Sequence, residues 1–227
     1  MLKQAVKGIA VLLLLGAAAG CSFGDIGYDD ITGYSEAAKA KTLYTQLDSG
    51  HIRVVDNSTG EVTEEFTFMY RSDGNLMYSY MGSDGEKVRW EFHNGSEINS
   101  RENGETEWEF IEPSSEDYYV YTRTDRHPYT AEGVIAVNAY AITDSKVEEA
   151  DGGVKATFYY DASLLAASLS DMGSLDSFES TIWLNAEGYC YRLDQLAVFD
   201  GGENVSDFSM FIDMMNEVRS LTRPETE

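Results

Sequence analysis

Three glutamates in the middle of the chain have the types and spacing that could do chemistry. Glu105, Glu107 and Glu109 alternate along the sequence, so a strand would place all three on one face. Paired carboxylates can hydrolyse a glycosidic bond when one of them lies in an apolar setting that raises its pKa. The apolar residues of this segment occupy the even positions instead, so we expect the three glutamates on the solvated side and no catalytic residue among them.

Other reactive groups are sparse. His51, His93 and His127 are far apart in the sequence and lack the spacing of a zinc site. The chain has no calcium-loop pattern, and it has no nucleophile elbow, phosphate loop or dinucleotide fingerprint. The sequence therefore predicts a protein that is not an enzyme and that needs no metal and no cofactor.

The first twenty residues have the layout of an export signal. Lys3 and Lys7 precede an apolar run of eleven residues, Ile9 to Ala19. A spanning helix needs about 20 apolar residues, so the run is too short to cross a membrane and is typical of a secretory signal. We interpret residues 1–20 as a signal peptide.

The signal ends in Ala18-Ala19-Gly20-Cys21, which resembles the bacterial lipobox. In that pattern the cysteine is diacylated and becomes the first residue, and a leucine is preferred where this chain has Ala18. The resemblance implies acyl chains such as palmitate on Cys21, export, and anchoring to a bacterial cell membrane. Residues 21–34 would then be a tether of at most about 45 Å. The alternative is an ordinary signal cleaved nearby, with Cys21 incidental.

The charge of the chain excludes one class of partner. Removing residues 1–20 takes away two lysines and no acids, so 16 basic residues become 14 against 40 acidic ones, a formal charge of −26. Such a surface repels phosphate backbones, so we expect no nucleic acid partner. The acidic excess could attract basic peptides, or it could serve solubility alone.

A run of glycine-ended triplets organises the segment 61–111. Each triplet has the composition of a three-residue hairpin loop, a type I turn closed by a left-handed glycine. The four triplets are Ser72-Asp73-Gly74, Ser83-Asp84-Gly85, His93-Asn94-Gly95 and Glu102-Asn103-Gly104. They predict an antiparallel meander, which has six strands when the strand before Glu61 is included.

These loops fix which residues face each other. Phe68 should face Tyr78, Trp90 should face Ile98, and Ile98 should face Trp108; opposed residues lie on one side of a sheet. The apolar face then collects the even-numbered residues Val62, Phe66, Phe68, Tyr70, Leu76, Tyr78, Tyr80, Val88, Trp90, Phe92, Ile98, Trp108 and Phe110. The sequence thus predicts a sheet with one apolar face and one wet face.

The rest of the chain predicts two helices and more hairpins. Ser35–Leu47 carries an apolar stripe of Ala40, Leu43, Tyr44 and Leu47, and Ala162–Met172 carries Leu165 and Leu169.

Two further glycine-ended loops set registers. Ser58-Thr59-Gly60 should place Ile52 against Phe66, and Ala186-Glu187-Gly188 should place Trp183 against Tyr191. The total is roughly eleven strands and two short helices, an α+β arrangement. We expect one domain over residues 35–218 and a disordered tail over 219–227.

This order of elements resembles the lipoprotein-localisation superfamily of LolA, LolB and LppX. The resemblance implies one large curved antiparallel sheet, an unclosed half-barrel whose concave apolar face is covered by two short helices and holds acyl chains or lipoproteins. The residues that would form this face are Phe66, Phe68, Tyr78, Tyr80, Trp90, Ile98, Trp108, Phe110, Leu43, Leu47, Leu165 and Leu169.

Two functions follow from these predictions. In the first, a membrane-anchored envelope lipoprotein binds or carries an acyl chain or another hydrophobic ligand in the concave face. In the second, the same face is a closed core, and the protein acts as an envelope sensor or assembly module through contacts with a protein partner.

Overall fold

The computed structural model of the chain describes residues 30–70, 76–81, 89–93, 97–101, 109–111, 135, 137–165 and 173–221. These residues form strands and short helices. The strands are β1 Ser49–Asp56, β2 Glu61–Tyr70, β3 Leu76–Met81, β4 Arg89–His93, β5 Glu97–Arg101, β6 Glu109–Ile111, β7 Ile142–Ala150, β8 Gly153–Tyr160, β9 Leu175–Leu184, β10 Cys190–Phe199 and β11 Asn204–Asp213. The helices are α1 Tyr34–Tyr44 and α2 Ala162–Leu165, with 3-10 turns at Ala139–Ala141 and Asp200–Gly202.

The strands divide between two sheets. Eight of them form one antiparallel sheet in the order β3-β2-β1-β11-β10-β9-β8-β7, and β4, β5 and β6 form a second, three-stranded sheet. The large sheet is unclosed, because its edge strands β3 and β7 do not pair with each other. The prediction of one sheet of roughly eleven strands was therefore wrong. Turn chemistry fixes how neighbours in sequence pair, but it cannot reveal that β1 pairs with β11 at the far end of the chain.

The predicted apolar parity holds across the first three strands. Ile52 opposes Phe66, and Phe68 opposes Tyr78, as the loop lengths predicted. Ile52, Phe66, Phe68 and Tyr78 are all buried. We call the side of the large sheet that carries these residues the interior face, and the opposite side the exterior face.

A β-bulge breaks the parity near the first turn. The β1–β2 register shifts between Val54 and Val55, so that Val55 opposes Val62. Val62 was predicted on the apolar face, but it is 42% exposed. A bulge adds one residue to one strand and turns the following side chains to the other face, which explains why Val62 leaves the interior while Phe66 stays there.

A second bulge lies in the β9–β10 hairpin. Trp183 was predicted to face Tyr191, but it opposes Arg192, because the register shifts between Cys190 and Arg192. Leu193 consequently opposes Ile182, and both residues are buried. The bulge therefore decides which residues of β10 reach the interior face.

The three-stranded sheet departs from the predicted registers. Trp90 was predicted to face Ile98, but it opposes Ser100. Ile98 opposes Phe92. Ile98 opposes Ile111 on β6, and Phe110 opposes Asn99. The Trp90–Ile98 pairing and the grouping of Phe110 with Ile98 were therefore wrong. The first hairpin pairs His93 with Glu97, so its three-residue connection begins one residue later than predicted. The second pairs Ser100 with Glu109, three residues beyond the predicted partner. Trp108 lies outside the described residues.

Helix α1 packs on the interior face through small residues. It begins at Tyr34 and ends at Tyr44, slightly shorter than the predicted Ser35–Leu47. Ala37, Ala40 and Tyr44 are buried along one side of the helix, as is Leu47 beyond its end.

Gly33 brings the start of α1 close to the sheet. Its φ of 84° lies in the left-handed region, and a Cβ there would come within 2.7 Å of Val147 Cγ2 and 3.0 Å of Ala156 Cβ. Only glycine adopts this conformation without strain and also leaves this space free.

Helix α2 was predicted over Ala162–Met172, and the structure describes it as Ala162–Leu165. Leu165 is buried, whereas Leu169 and the rest of residues 166–172 lie outside the described residues. Within the described ranges, every helix falls short of the length and apolarity that a membrane crossing requires.

The Gly33 contact is testable with a matched glycine. Gly60 has a similar φ of 75°, but a Cβ there would meet nothing within 4 Å. We expect Gly60→Ala to cost about 1 kcal/mol of unfolding free energy from backbone strain, and Gly33→Ala about 2–3 kcal/mol because overpacking adds to it. Urea unfolding followed by circular dichroism measures both. Equal losses would contradict the close approach of α1 to β7 and β8.

Candidate functional site

The chain itself packs against several of the residues predicted to form a ligand face. The rings of Phe66 and Phe68 lie 5.7 Å apart, and Phe66 lies 5.5 Å from Tyr78. Tyr44 of α1 covers Phe68 at 6.1 Å. This end of the interior face, which we call the α1 end, is filled by aromatic side chains of the protein.

The remaining predicted face residues are distributed as follows. Leu47 and Leu165 are buried, and Leu43 is half-buried. The structure describes the backbone but not the side chains of Tyr80, Trp90, Ile98 and Phe110. Trp108, Leu169 and the predicted lipid-attachment residue Cys21 lie outside the described residues.

A cavity of about 90 Å³ opens near the turn between β10 and β11. We call it the mouth. It is lined by Asp56, Ser58, Phe199, Glu203, Asn204, Val205, Ser206, Asp207 and Phe208. An apolar cavity of roughly 150 Å³ can hold a benzene ring, so the mouth has room for a small chemical group and not for a whole acyl chain.

The floor of the mouth belongs to the interior face. Leu193 and Met210 oppose each other and are buried. Gln195 and Phe208 form the next pair on the same face, two residues further along each strand. Ser206 follows Phe208 by the same spacing, opposite Ala197. Ser206 and Phe208 therefore line the mouth from the interior face, whereas Val205 and Asp207 alternate with them and line it from the exterior side.

Two polar side chains lie buried beside this floor without partners. Gln195 is 6% exposed and Ser206 is 7% exposed. In the part of the chain that the structure describes, neither side chain makes a hydrogen bond, whereas the neighbouring Ser180 hydroxyl lies 2.9 Å from that of Tyr160. A buried polar group without a hydrogen bond costs about 1–3 kcal/mol. These two residues therefore lower the stability of the unliganded chain.

The rim of the mouth is acidic. Asp56 accepts hydrogen bonds from the backbone N–H and the hydroxyl of Ser58, at 2.8 Å and 2.6 Å. Asp207 accepts one from Asn57 Nδ2 at 2.6 Å. Glu203, also on the rim, is exposed. Among the described residues, none of these three carboxylates forms an ion pair, so the rim carries uncompensated negative charge.

The described residues were searched for metal-binding groups and for a reactive nucleophile. Across the described ranges, no three histidine, cysteine, aspartate or glutamate side chains lie close enough together to hold a metal ion. Burial raises the pKa of the Cys190 thiol to about 12, so the thiolate that would act as a nucleophile is nearly absent at neutral pH. Cys190 is a buried filler at the α1 end.

The exterior face carries a row of cations and aromatic rings that sequence reasoning missed. Its five members oppose one another in turn across the adjacent strands β1, β11, β10, β9 and β8: Arg53, Phe211, Arg192, Trp183 and Lys155. The Arg192 guanidinium lies 5.3 Å from the ring centroids of both Trp183 and Phe211. The outer cations flank the same rings: Lys155 Nζ lies 4.9 Å from the Trp183 centroid, and the Arg53 guanidinium lies 5.6 Å from the Phe211 centroid.

A carboxylate holds the centre of this exterior row. Asp194 accepts hydrogen bonds from Trp183 Nε1 and Arg192 Nε, both at 2.7 Å. The buried Ser209 hydroxyl also lies 2.7 Å from Asp194. Since the bulge after Cys190 places Arg192 beside Trp183, the row depends on a feature that loop composition does not reveal.

The chain was compared with known proteins. No protein-family model and no curated protein matches it. Among solved structures, it is similar to LprF from Mycobacterium bovis, with 13% identity, a TM-score of 0.46, and coverage of 85% of this chain and 95% of LprF. It is also similar to the lipoprotein LppX from Mycobacterium tuberculosis, with 16% identity, a TM-score of 0.46, and coverage of 83% and 97%.

A LolA superfamily protein from Nitrosomonas europaea is similar over 85% of this chain and 96% of its own length, at 11% identity and a TM-score of 0.27. These matches include the LolA and LppX group that the sequence resembles. At such identities and TM-scores they carry no conclusion about the family or the ligand of this chain.

The exterior row is testable through Arg192. We expect Arg192→Met to lower the unfolding free energy by about 1–2 kcal/mol, because it removes two ring contacts and leaves Asp194 without its cation. Lys146→Met is the control, since Lys146 pairs with Glu148 at 2.8 Å but is largely exposed. Solvent screens such a pair, so its loss should lower the unfolding free energy less. Urea unfolding followed by tryptophan fluorescence measures both. Equal effects would refute a stabilising role for the row.

Proposed function

We propose that the protein is an exported lipoprotein, anchored to a bacterial cell membrane through an acylated Cys21, that binds a hydrophobic ligand on the interior face of its sheet. The observation that carries this proposal is the mouth, a cavity lined by the interior-face residues Phe199, Phe208 and the buried Ser206. A ligand with an acyl chain would bind through this end, with residues 35–218 as the binding domain on the tether 21–34.

The size of the mouth sets the mode of binding. Its volume of about 90 Å³ is too small for an acyl chain, so a chain has to separate interior side chains that are in contact in the unliganded protein. Burying ten methylenes gives about 8 kcal/mol before binding costs. After those costs, the expected affinity is micromolar or weaker.

The position of α1 limits where the chain can go. Tyr44 already covers Phe68, and Phe66 contacts Tyr78. A ligand that reached the α1 end would have to displace α1 itself. We therefore propose that the acyl chain lies on the half of the interior face next to Phe199 and Phe208.

A second function is favoured by the same aromatic packing. If Phe66, Phe68 and Tyr78 are core in every state of the protein, the interior is closed, and the molecule acts on a protein partner as an envelope sensor or assembly module. In that case the mouth is only a surface depression. The two functions differ in whether lipid accompanies the purified protein.

Native mass spectrometry separates the two functions. The Cys21→Ala variant, purified from cells without detergent, has no anchor lipid, so any bound lipid must occupy a ligand site. We expect additional mass that is removed by denaturation and has the fragmentation pattern of an acyl lipid. A bare protein mass, together with no uptake of a fluorescent fatty acid or monoacylglycerol, would eliminate lipid binding and favour the closed-core function.

The anchor has its own test. We expect Cys21→Ser to release the protein from the membrane fraction, because serine cannot take the thioether-linked lipid and no other acyl anchor is proposed. Fractionation of cells expressing each variant, followed by immunoblotting, measures the release. Unchanged membrane retention of Cys21→Ser would contradict lipidation at Cys21.

A further inference from the structure

We propose that the mouth selects ligands by head group and takes an uncharged amphiphile with a hydroxyl or amide head, in preference to a fatty acid or an amine. This inference rests on the proposed lipid-binding function and specifies the ligand of the same site. It depends on three observations: the buried unpartnered side chains, their position below the rim, and the charge of the rim.

We assign the hydrogen bonds to Ser206, which lines the mouth, and to Gln195, which does not line it but opposes the lining residue Phe208 on the same face. Both are more than nine-tenths buried and lack hydrogen bonds to the described residues. An amide offers two N–H donors and one acceptor oxygen, and a hydroxyl offers one donor and two acceptor lone pairs. Hydroxyl and amide head groups match both kinds of group at once, whereas a carboxylate only accepts and an ammonium only donates.

The two side chains are spaced for one head group. Ser206 opposes Ala197, and Gln195 lies two residues further into β10 on the same face. This separation corresponds to about 7 Å along the strand. The hydroxyls of a glycerol head group, each making a hydrogen bond of about 2.8 Å, bridge this separation.

The rim disfavours anions. Asp56, Glu203 and Asp207 surround the opening, in a chain whose formal net charge is −24. A carboxylate that enters the mouth approaches three like charges and loses its hydration as well. An ammonium is attracted by the rim but has to leave water to reach Gln195, so the same burial disfavours it below the rim.

Three probes with one acyl chain test the selection: 1-monolauroylglycerol, laurate and dodecylamine. Isothermal titration calorimetry below their critical micelle concentrations measures binding to the mature chain 21–227 carrying Cys21→Ala. We expect 1-monolauroylglycerol to bind about tenfold more tightly than laurate. A tighter or equal affinity for laurate or dodecylamine overturns the head-group inference and leaves lipid binding intact, whereas no binding of any probe overturns both.

Variants at Gln195 and Ser206 connect the preference to these side chains. We expect Gln195→Leu to weaken binding of 1-monolauroylglycerol about fivefold to tenfold, the effect of one lost hydrogen bond, and to leave laurate binding unchanged. Ser206→Ala should act in the same direction. The exposed Gln46→Leu is the control and should change neither affinity.

The melting temperature of Gln195→Leu tests the role of Gln195 independently of ligand binding. Because Gln195 is buried without a partner, we expect Gln195→Leu to raise the melting temperature of the unliganded protein while it weakens binding. A Gln195→Leu protein that is less stable and keeps its preference for 1-monolauroylglycerol would show that Gln195 is a structural residue and would overturn the assignment.

Discussion

The structure depends on how the apolar face of an unclosed sheet is covered. Eight strands with about 4.8 Å between neighbours span roughly 34 Å, whereas the eleven residues of α1 span about 16 Å. One such helix cannot cover the whole face. It covers the α1 end closely, because Gly33, Ala37 and Ala40 let its backbone approach the sheet. The opening lies where this cover ends, beside Phe199 and Phe208.

Buried polar residues of the interior face lie at the same end of the sheet as the mouth. At the α1 end, the interior face is aromatic and aliphatic, and its rings pack on one another. Beside the mouth, Gln195 and Ser206 interrupt the apolar surface and remain unpartnered. Buried polar groups of this kind reduce stability unless something else bonds them. Proteins commonly accept such a loss where a binding site requires it, which agrees with a ligand site at the mouth.

The exterior face of the sheet carries stabilising interactions of its own. Arg192 lies between Trp183 and Phe211, and Asp194 fixes its orientation. This row crosses the central strands β1, β11, β10, β9 and β8 behind the interior face. It lies on the side of the sheet opposite the proposed ligand site, so its contacts stabilise the strands without taking part in the interior packing.

The sequence predicted the local part of this architecture. Loop composition predicted the Ile52–Phe66 and Phe68–Tyr78 pairs and the apolar parity of β1, β2 and β3, because hairpin register is a short-range property. It could not predict the pairing of β1 with β11, which depends on contacts between distant segments. Nor could it predict the division of the strands into two sheets.

The sequence did not reveal the residues of the proposed ligand site, for a more specific reason. On the predicted register of the β9–β10 hairpin, Gln195 would oppose Glu179. The bulge after Cys190 places it opposite Ser180 on the interior face instead. One extra residue in one strand thus decides whether Gln195 reaches the interior. Composition gives no signal for such a bulge. The rim joins Asp56 at the end of β1 to Glu203 just before β11 and Asp207 near its start, which are far from Asp56 in sequence.

The central claim is that the interior opens at the mouth and is closed at the α1 end. A lauroyl lipid carrying a diazirine next to its head group, photolysed with the protein and mapped by peptide mass spectrometry, tests it directly. If the interior opens at the mouth, adducts should fall within residues 195–208, and excess 1-monolauroylglycerol should suppress them. Adducts concentrated within residues 34–44 or 61–70 would contradict it.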